Sequence, residues 1–257
     1  TQDFFRKAVE RSALLVQQRD FGTARDLWAK VLEGPASAAD LEVADLRRGE
    51  MDLMVRSMEL IAKVVRGRRE MTLEVKGIPR SGTCRGNEAP MTRPFRLFDR
   101  VTGVVHSFAL TGSVQAENKA ASGGAVLMSS GDMERLLLEG LALAGGQDLI
   151  EASRASLALS LLRFHLGDPS LEPVSSGAPA PAGADGALWK DLENRVAALL
   201  DARQRQVGAR RAQLEQDLTR LRTRFTAGSA SDLALLAARD EFLAQYGDLL
   251  SPAQETE

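Results

Sequence analysis

The chain has 257 residues, 44% of them apolar, with a formal net charge of -2, two histidines and one cysteine. These values describe a core-forming chain rather than a disordered one, and they exclude an internal disulfide and a clustered Cys/His zinc centre. They also argue against a surface built throughout to bind polyanions, while the lack of any run of about 18 apolar residues argues against a membrane span.

Phe4, Phe5, Ala8, Ser12 and Leu15 recur at helical intervals over residues 3–18. After Arg19-Asp20-Phe21-Gly22 the spacing resumes with Ala24, Leu27, Trp28, Val31 and Leu32, which predicts a helical hairpin. The small Ala24 lets two helix backbones approach, and Trp28 fills the groove beside it. The positions Ser12, Leu15, Phe21, Ala24, Trp28, Leu32 and Pro35 resemble one tetratricopeptide repeat over residues 3–35, with Ala8 and Arg19 standing where that repeat carries an aromatic residue and a glycine. The resemblance implies a helical scaffold that offers a groove to protein partners. A lone hairpin needs a neighbour, and the helix expected at 38–66 supplies one. Its stripe of Met51, Met54, Met58, Ile61 and Val65, flanked by Leu53, Leu60 and Val64, calls for burial from more than one side. Residues 1–67 therefore read as a first helical unit.

From Met71 the period becomes two. Met71, Leu73 and Val75 alternate with Thr72, Glu74 and Lys76, and Gly77 with Pro79 ends the run, so a half-buried strand is expected. Phe95-Arg96-Leu97 and Val104 to Leu110 read as strands around a turn at Asp99 to Gly103, and Val126 to Met128 as a fourth, short one. Residues 68–129 form, on this reading, a small barrel-like β-subdomain, with Ile78 to Arg93 as a long polar loop.

Ser130 is placed to cap a helix carrying Met133, Leu136, Leu137 and Leu141 as far as Gly145-Gly146; a second helix at about 147–166 ends at Gly167-Asp168-Pro169. This second hairpin, 130–168, is expected to pack on the first. Residues 169–186, and above all Ser175 to Gly186, have the composition of a Pro/Ala/Gly linker, and a domain boundary is expected near residue 175. Over 187–257 a long arginine-rich helix runs to Phe225, turns at Thr226 to Ser231 and returns on Leu233, Leu236, Leu243, Tyr246 and Leu250, which suggests an antiparallel coiled-coil hairpin. The return helix is too short to cover the apolar stripe of Leu188 to Leu200. That stripe must dock on the preceding domain or on another subunit.

Candidate chemistry is sparse. Cys84, expected in a flexible loop beside Arg80, reads either as a reactive thiol assisted by His106 or as an incidental cysteine, and the second is preferred because no oriented base is placed beside it. His106 in a strand and His165 near a helix end read as structural. Met51, Met54 and Met58 share a face but sit among aliphatic residues, so they read as core rather than copper ligands. Gly123-Gly124 and Gly145-Gly146 lack the lysine and hydroxyl of a phosphate loop. Arg203, Arg205, Arg210, Arg211, Arg220, Arg222 and Arg224 are interrupted by acids and read as a solvated flank, with a nucleic-acid face as the competitor.

The fold expected is mainly α with a small β-subdomain (α+β): helical hairpins and a C-terminal coiled-coil hairpin. The expected function is a non-enzymatic protein–protein interaction or scaffold module of bacterial type, needing no cofactor or metal. Leu192, Val196, Arg203, Arg210 and Arg211 are its candidate partner-binding residues, and a protein partner or self-association is expected. One alternative is a nucleic-acid-associated protein using residues 203–224. Another follows from composition: the Ala/Arg/Leu-rich chain resembles accessory regions of large bacterial multidomain signalling proteins, serine/threonine kinases among them, which implies that catalysis lies outside this chain. An opening residue of Thr1 fits a processed or excised piece. The compartment stays open.

Overall fold

The computed structural model describes residues 2–112, 125–144, 152–167, 183–226 and 237–242. They form a mainly helical α+β chain with one five-stranded, curled, mixed sheet. Two compact units divide at Val196/Ala197.

In the first unit, α1 (Gln2–Gln17) and α2 (Phe21–Glu33) make the N-terminal hairpin. Ala8, Leu15, Phe21, Ala24, Trp28 and Val31 are buried, and the Trp28 Nε1–H donates to the Ser12 hydroxyl at 2.9 Å. Arg19 turns the chain with a φ of 57°, a left-handed conformation that carries a steric cost for a side chain. Its guanidinium offsets that cost by donating to the Met128 carbonyl at 2.8 Å, which ties the turn to the far side of the unit. Asp20 caps α2 through the Thr23 amide, and a Ser37/Asp40 capping box opens α3 (Ala38–Gly67). Met51, Met54, Met58, Ile61 and Val65 are buried in the main core with Leu53 and Val64, as gap-filling apolar side chains.

The sheet runs β1 (Glu70–Val75), β2 (Ile78–Arg85), β3 (Phe95–Asp99), β4 (Val105–Ala109) and β5 (Val126–Leu127) in that spatial order. The first three pairings are antiparallel and β4 with β5 is parallel. Where a polar loop was expected from Ile78, the chain instead forms β2. Val75 faces Ile78 across Lys76-Gly77, whose φ values of 52° and 78° are those of a two-residue hairpin turn with positive φ at both positions. Pro79 is tolerated because the position next to the closing pair points its nitrogen away from β1, and β3 joins β2 only from Gly82 onward. At Gly82 a Cβ would lie 1.9 Å from the Phe98 carbonyl oxygen, so only glycine permits this approach of strands. The strand order leaves β1 and β5 as edges, an open sheet rather than the barrel expected. On the outer edge of β1, Arg135 donates to the Thr72 carbonyl at 2.6 Å and Asp132 accepts the Glu74 amide at 2.7 Å. Side chains thereby occupy backbone groups that would otherwise recruit another strand.

Then come α4 (Ser130–Ala144) and α5 (Ala152–Leu166), both packed on α3. Ser129, one residue before the expected cap, caps α4 by accepting the Asp132 amide at 3.2 Å. Residues 145–151 and 168–182, with most of the expected linker, lie outside the described residues. The last part of that linker is not one: α6 (Gly183–Thr226) already begins at Gly183. Leu188, Leu192 and Val196 of α6 are buried in the main core of the first unit.

In the second unit, the remainder of α6 is largely exposed until Leu214, which packs with Leu218, Leu221 and Phe242 of the helical stretch 237–242. The turn at 227–231 and most of the expected return stripe, including Leu233, Leu236, Leu243, Tyr246 and Leu250, lie outside the described residues. Among the described residues no helix is long and apolar enough to cross a membrane.

Candidate functional site

A side chain absent from the sequence reading organises the first unit. Glu50 occupies the apolar face of α3 one residue before Met51, and its side chain is 1% exposed. A buried charge requires partners. Arg47, one turn earlier, donates to Glu50 Oε2 and forms a bidentate pair with Asp191 of α6 at 2.8 and 3.0 Å. Arg195, one turn beyond Asp191, donates through Nη1 to both Glu50 oxygens at 2.9 and 2.8 Å. His165, in the last turn of α5, places Nε2 2.6 Å from Oε1; an ionised carboxylate only accepts, so the imidazole is the donor. Burial alone pushes the Glu50 carboxyl up, but His165 and then Arg195 and Arg47 outweigh it and hold it well below the usual carboxylate range.

Arg47, Glu50, His165 and Arg195 form the charged part of a cleft of about 500 Å³ whose walls include Val9, Ala13 and Val16 of α1, Trp28 of α2, and Val43 and Met51 of α3. Aromatic contacts fix the charged part: the His165 ring lies 5.8 Å from Phe21 and 5.3 Å from Phe164, and the Arg195 guanidinium stacks 4.3 Å above the Phe164 ring. The concavity thus joins apolar walls to a small set of oriented polar groups, the usual chemistry of a binding site. Val9 and Val43, 43% and 39% exposed, form its rim.

The residues singled out from sequence fall elsewhere or are otherwise engaged. Leu192 and Val196, read as partner-binding, are buried in the chain's own core, because α6 lies on α3 with Leu188 against Gly49. Arg203 and Arg211 are exposed and Arg210 half-buried on the part of α6 that belongs to the second unit. Acids are interleaved there, with ion pairs Arg205–Asp201 and Arg220–Asp217. Cys84 lies in β2 rather than in a loop, buried, and burial pushes its thiol up to about 11. His106 pairs in register with Leu97, its Nε2 4.0 Å from Asp99. Asp99 is held low, first by the Thr102 hydroxyl and then by the Val101 amide, within the β3–β4 turn that those bonds close.

The sequence did carry a signal for Glu50. It falls between Arg47 and Met54 on the i, i+3, i+4 stripe that otherwise holds apolar residues, and a glutamate there demands buried cations. Nothing local identifies His165 and Arg195 as its partners, since 115 and 145 positions separate them from Glu50.

A second concavity, about 230 Å³ on β1 and β2, carries Arg68, Arg100 and Arg135, each paired with an acid: Glu139, Glu70 and Asp132 respectively. No cluster of three or more His, Cys, Asp or Glu that could hold a metal ion occurs among the described residues. No family model, no curated protein and no solved structure matches the chain.

Proposed function

We propose that the chain is a non-catalytic protein-binding module that receives a peptide segment of a partner in the cleft between α1 and α3. The observation that carries this reading is the exposed apolar rim of Val9 and Val43 above a cleft, one part of which is charged and internally braced. Exposed apolar surface bordered by polar groups is characteristic of interaction sites, and a groove between two helices suits the apolar face of a peptide. A tetratricopeptide-like arrangement is consistent with it, α1 and α2 forming the hairpin and α3 its stacked neighbour. The raised thiol of Cys84 and the engagement of His165 with Glu50 support a role without nucleophilic chemistry.

The contact of Leu214 with Phe242 supports an antiparallel coiled-coil hairpin in the second unit, a further surface for a protein partner or for self-association, with Arg203, Arg210 and Arg211 on its flank.

Selection of a displayed peptide library on the folded chain is the test. It is expected to enrich sequences whose capture drops about tenfold when Val9→Lys and Val43→Lys are combined, because both positions are exposed and their loss should not unfold the unit. No enrichment, or enrichment indifferent to the pair, would contradict the reading.

A further inference from the structure

We infer that the segment received by this cleft is acidic, and that it seats a carboxylate on Arg195 with apolar residues on either side. This rests on the peptide-binding reading above and adds the chemistry of the partner.

The charged part of the cleft is already paired internally. Glu50 is met by His165, Arg47 and Arg195, and Asp191 by the bidentate Arg47. Two carboxylates face two guanidinium groups, with the His165 imidazole beside Glu50. The donors are nevertheless not exhausted. Arg195 meets Glu50 and Asp191 through Nη1 only, and its Nε and Nη2 make no hydrogen bond among the described residues. Those two nitrogens form one edge of the guanidinium fork, spaced to take both oxygens of a single carboxylate. Arg195 lines the cleft, and its side chain remains 29% exposed.

Three further features make this edge a selective receptor. Glu50 and the Phe164 ring fix the guanidinium, so little side-chain freedom is lost when an acceptor arrives. Apolar walls lower the local dielectric and so strengthen a charge-assisted bond made beside them. The cleft's own acid, Glu50, is 1% exposed and fully engaged, so it presents no repulsive face to an incoming anion. A single free guanidinium edge matches one planar monoanion. A cationic segment would instead meet Arg47, Arg195 and His165 with no free carboxylate to receive it.

Two synthetic amphipathic peptides of about 14 residues, with the same leucine positions and differing only in glutamate or glutamine beside the apolar face, test this on the full chain. The glutamate peptide is expected to bind about tenfold more tightly at low salt. Arg195→Gln should remove that advantage, so that the glutamate and glutamine peptides bind the variant alike, whatever the loss common to both. Because Arg195 also braces Glu50, Arg195→Lys is the second variant; it keeps the charge, loses the fork, and should retain only part of the preference. Equal binding of both peptides overturns the inference and leaves the peptide-binding reading standing. A glutamate preference that survives Arg195→Gln also overturns it, by placing the carboxylate elsewhere. If neither peptide binds, both readings fail, and saturable binding of decanoate in that case assigns the cleft to an acyl ligand.

Discussion

At the scale of single residues, Glu50 sets the pH behaviour of the fold. Its carboxyl is depressed in the native state, so its contribution to stability is fully present above the unfolded value of about 4.3 and is lost as the pH falls below that toward the native value. Glu50→Gln removes the charge and leaves Arg47, Arg195 and His165 around a neutral group, at an expected cost of about 3 to 5 kcal/mol near neutral pH. Denaturant titrations of both proteins should show the gap narrowing as the pH drops below about 4; a gap constant with pH would mean the carboxylate is not ionised in the fold. Asp99, also depressed, remains in both proteins and supplies a common background to the acid limb. Cys84 gives a second residue-scale expectation. With the thiol buried and raised to about 11, a thiol reagent at pH 8 should label it only as the chain unfolds, and rapid labelling of the native protein would refute its burial. The expected loop failed for a physical reason: the glycines and arginines around Cys84 suggested irregular chain, but pairing with β1 and β3 placed the sulfur on the inner face of a sheet.

At the scale of elements, the N-terminal hairpin depends on Trp28. Its ring is buried against Phe5 and its indole is bonded to Ser12, so Trp28→Ala should destabilise the first unit by about 3 to 5 kcal/mol; an unchanged denaturation midpoint would refute the packing. Gly82→Ala should cost about 1 to 3 kcal/mol because β2 and β3 must separate to admit a methyl group, and calorimetry of that variant reads the effect directly. Helices and the strands β1, β3 and β4 were legible in sequence because burial on one face imprints a period on the chain. β2 was not, since Pro79, Ser81 and Gly82 carry no apolar alternation and its strand form comes from its two neighbours. The Leu188 to Leu200 stripe was legible as needing cover; Leu188, Leu192 and Val196 find it, α3 being among the elements that provide it, whereas Leu199 and Leu200 stay exposed. Replacing Leu192 and Val196 together by glutamate should release the start of α6, seen as lost amide protection over 183–196, whereas Arg210→Gln with Arg211→Gln should leave that protection unchanged.

At the scale of the molecule, the first unit uses one buried carboxylate to hold α3, α5 and α6 at the charged part of a cleft whose other walls come from α1 and α2. That convergence was illegible in sequence because Glu50 alone stands out from its stripe, and only long-range folding brings Arg47, His165, Asp191 and Arg195 to it. The central claim, that this cleft is the working surface, can be tested with the chain's two tryptophans. Trp28 lines the cleft, whereas Trp189 bonds to Glu193 on α6 and does not. In a nitrogen-edited NMR titration with the glutamate-flanked peptide, the Trp28 indole resonance should shift to saturation while that of Trp189 stays in place. A bound peptide that leaves Trp28 unmoved, or that moves both resonances alike, would contradict the claim.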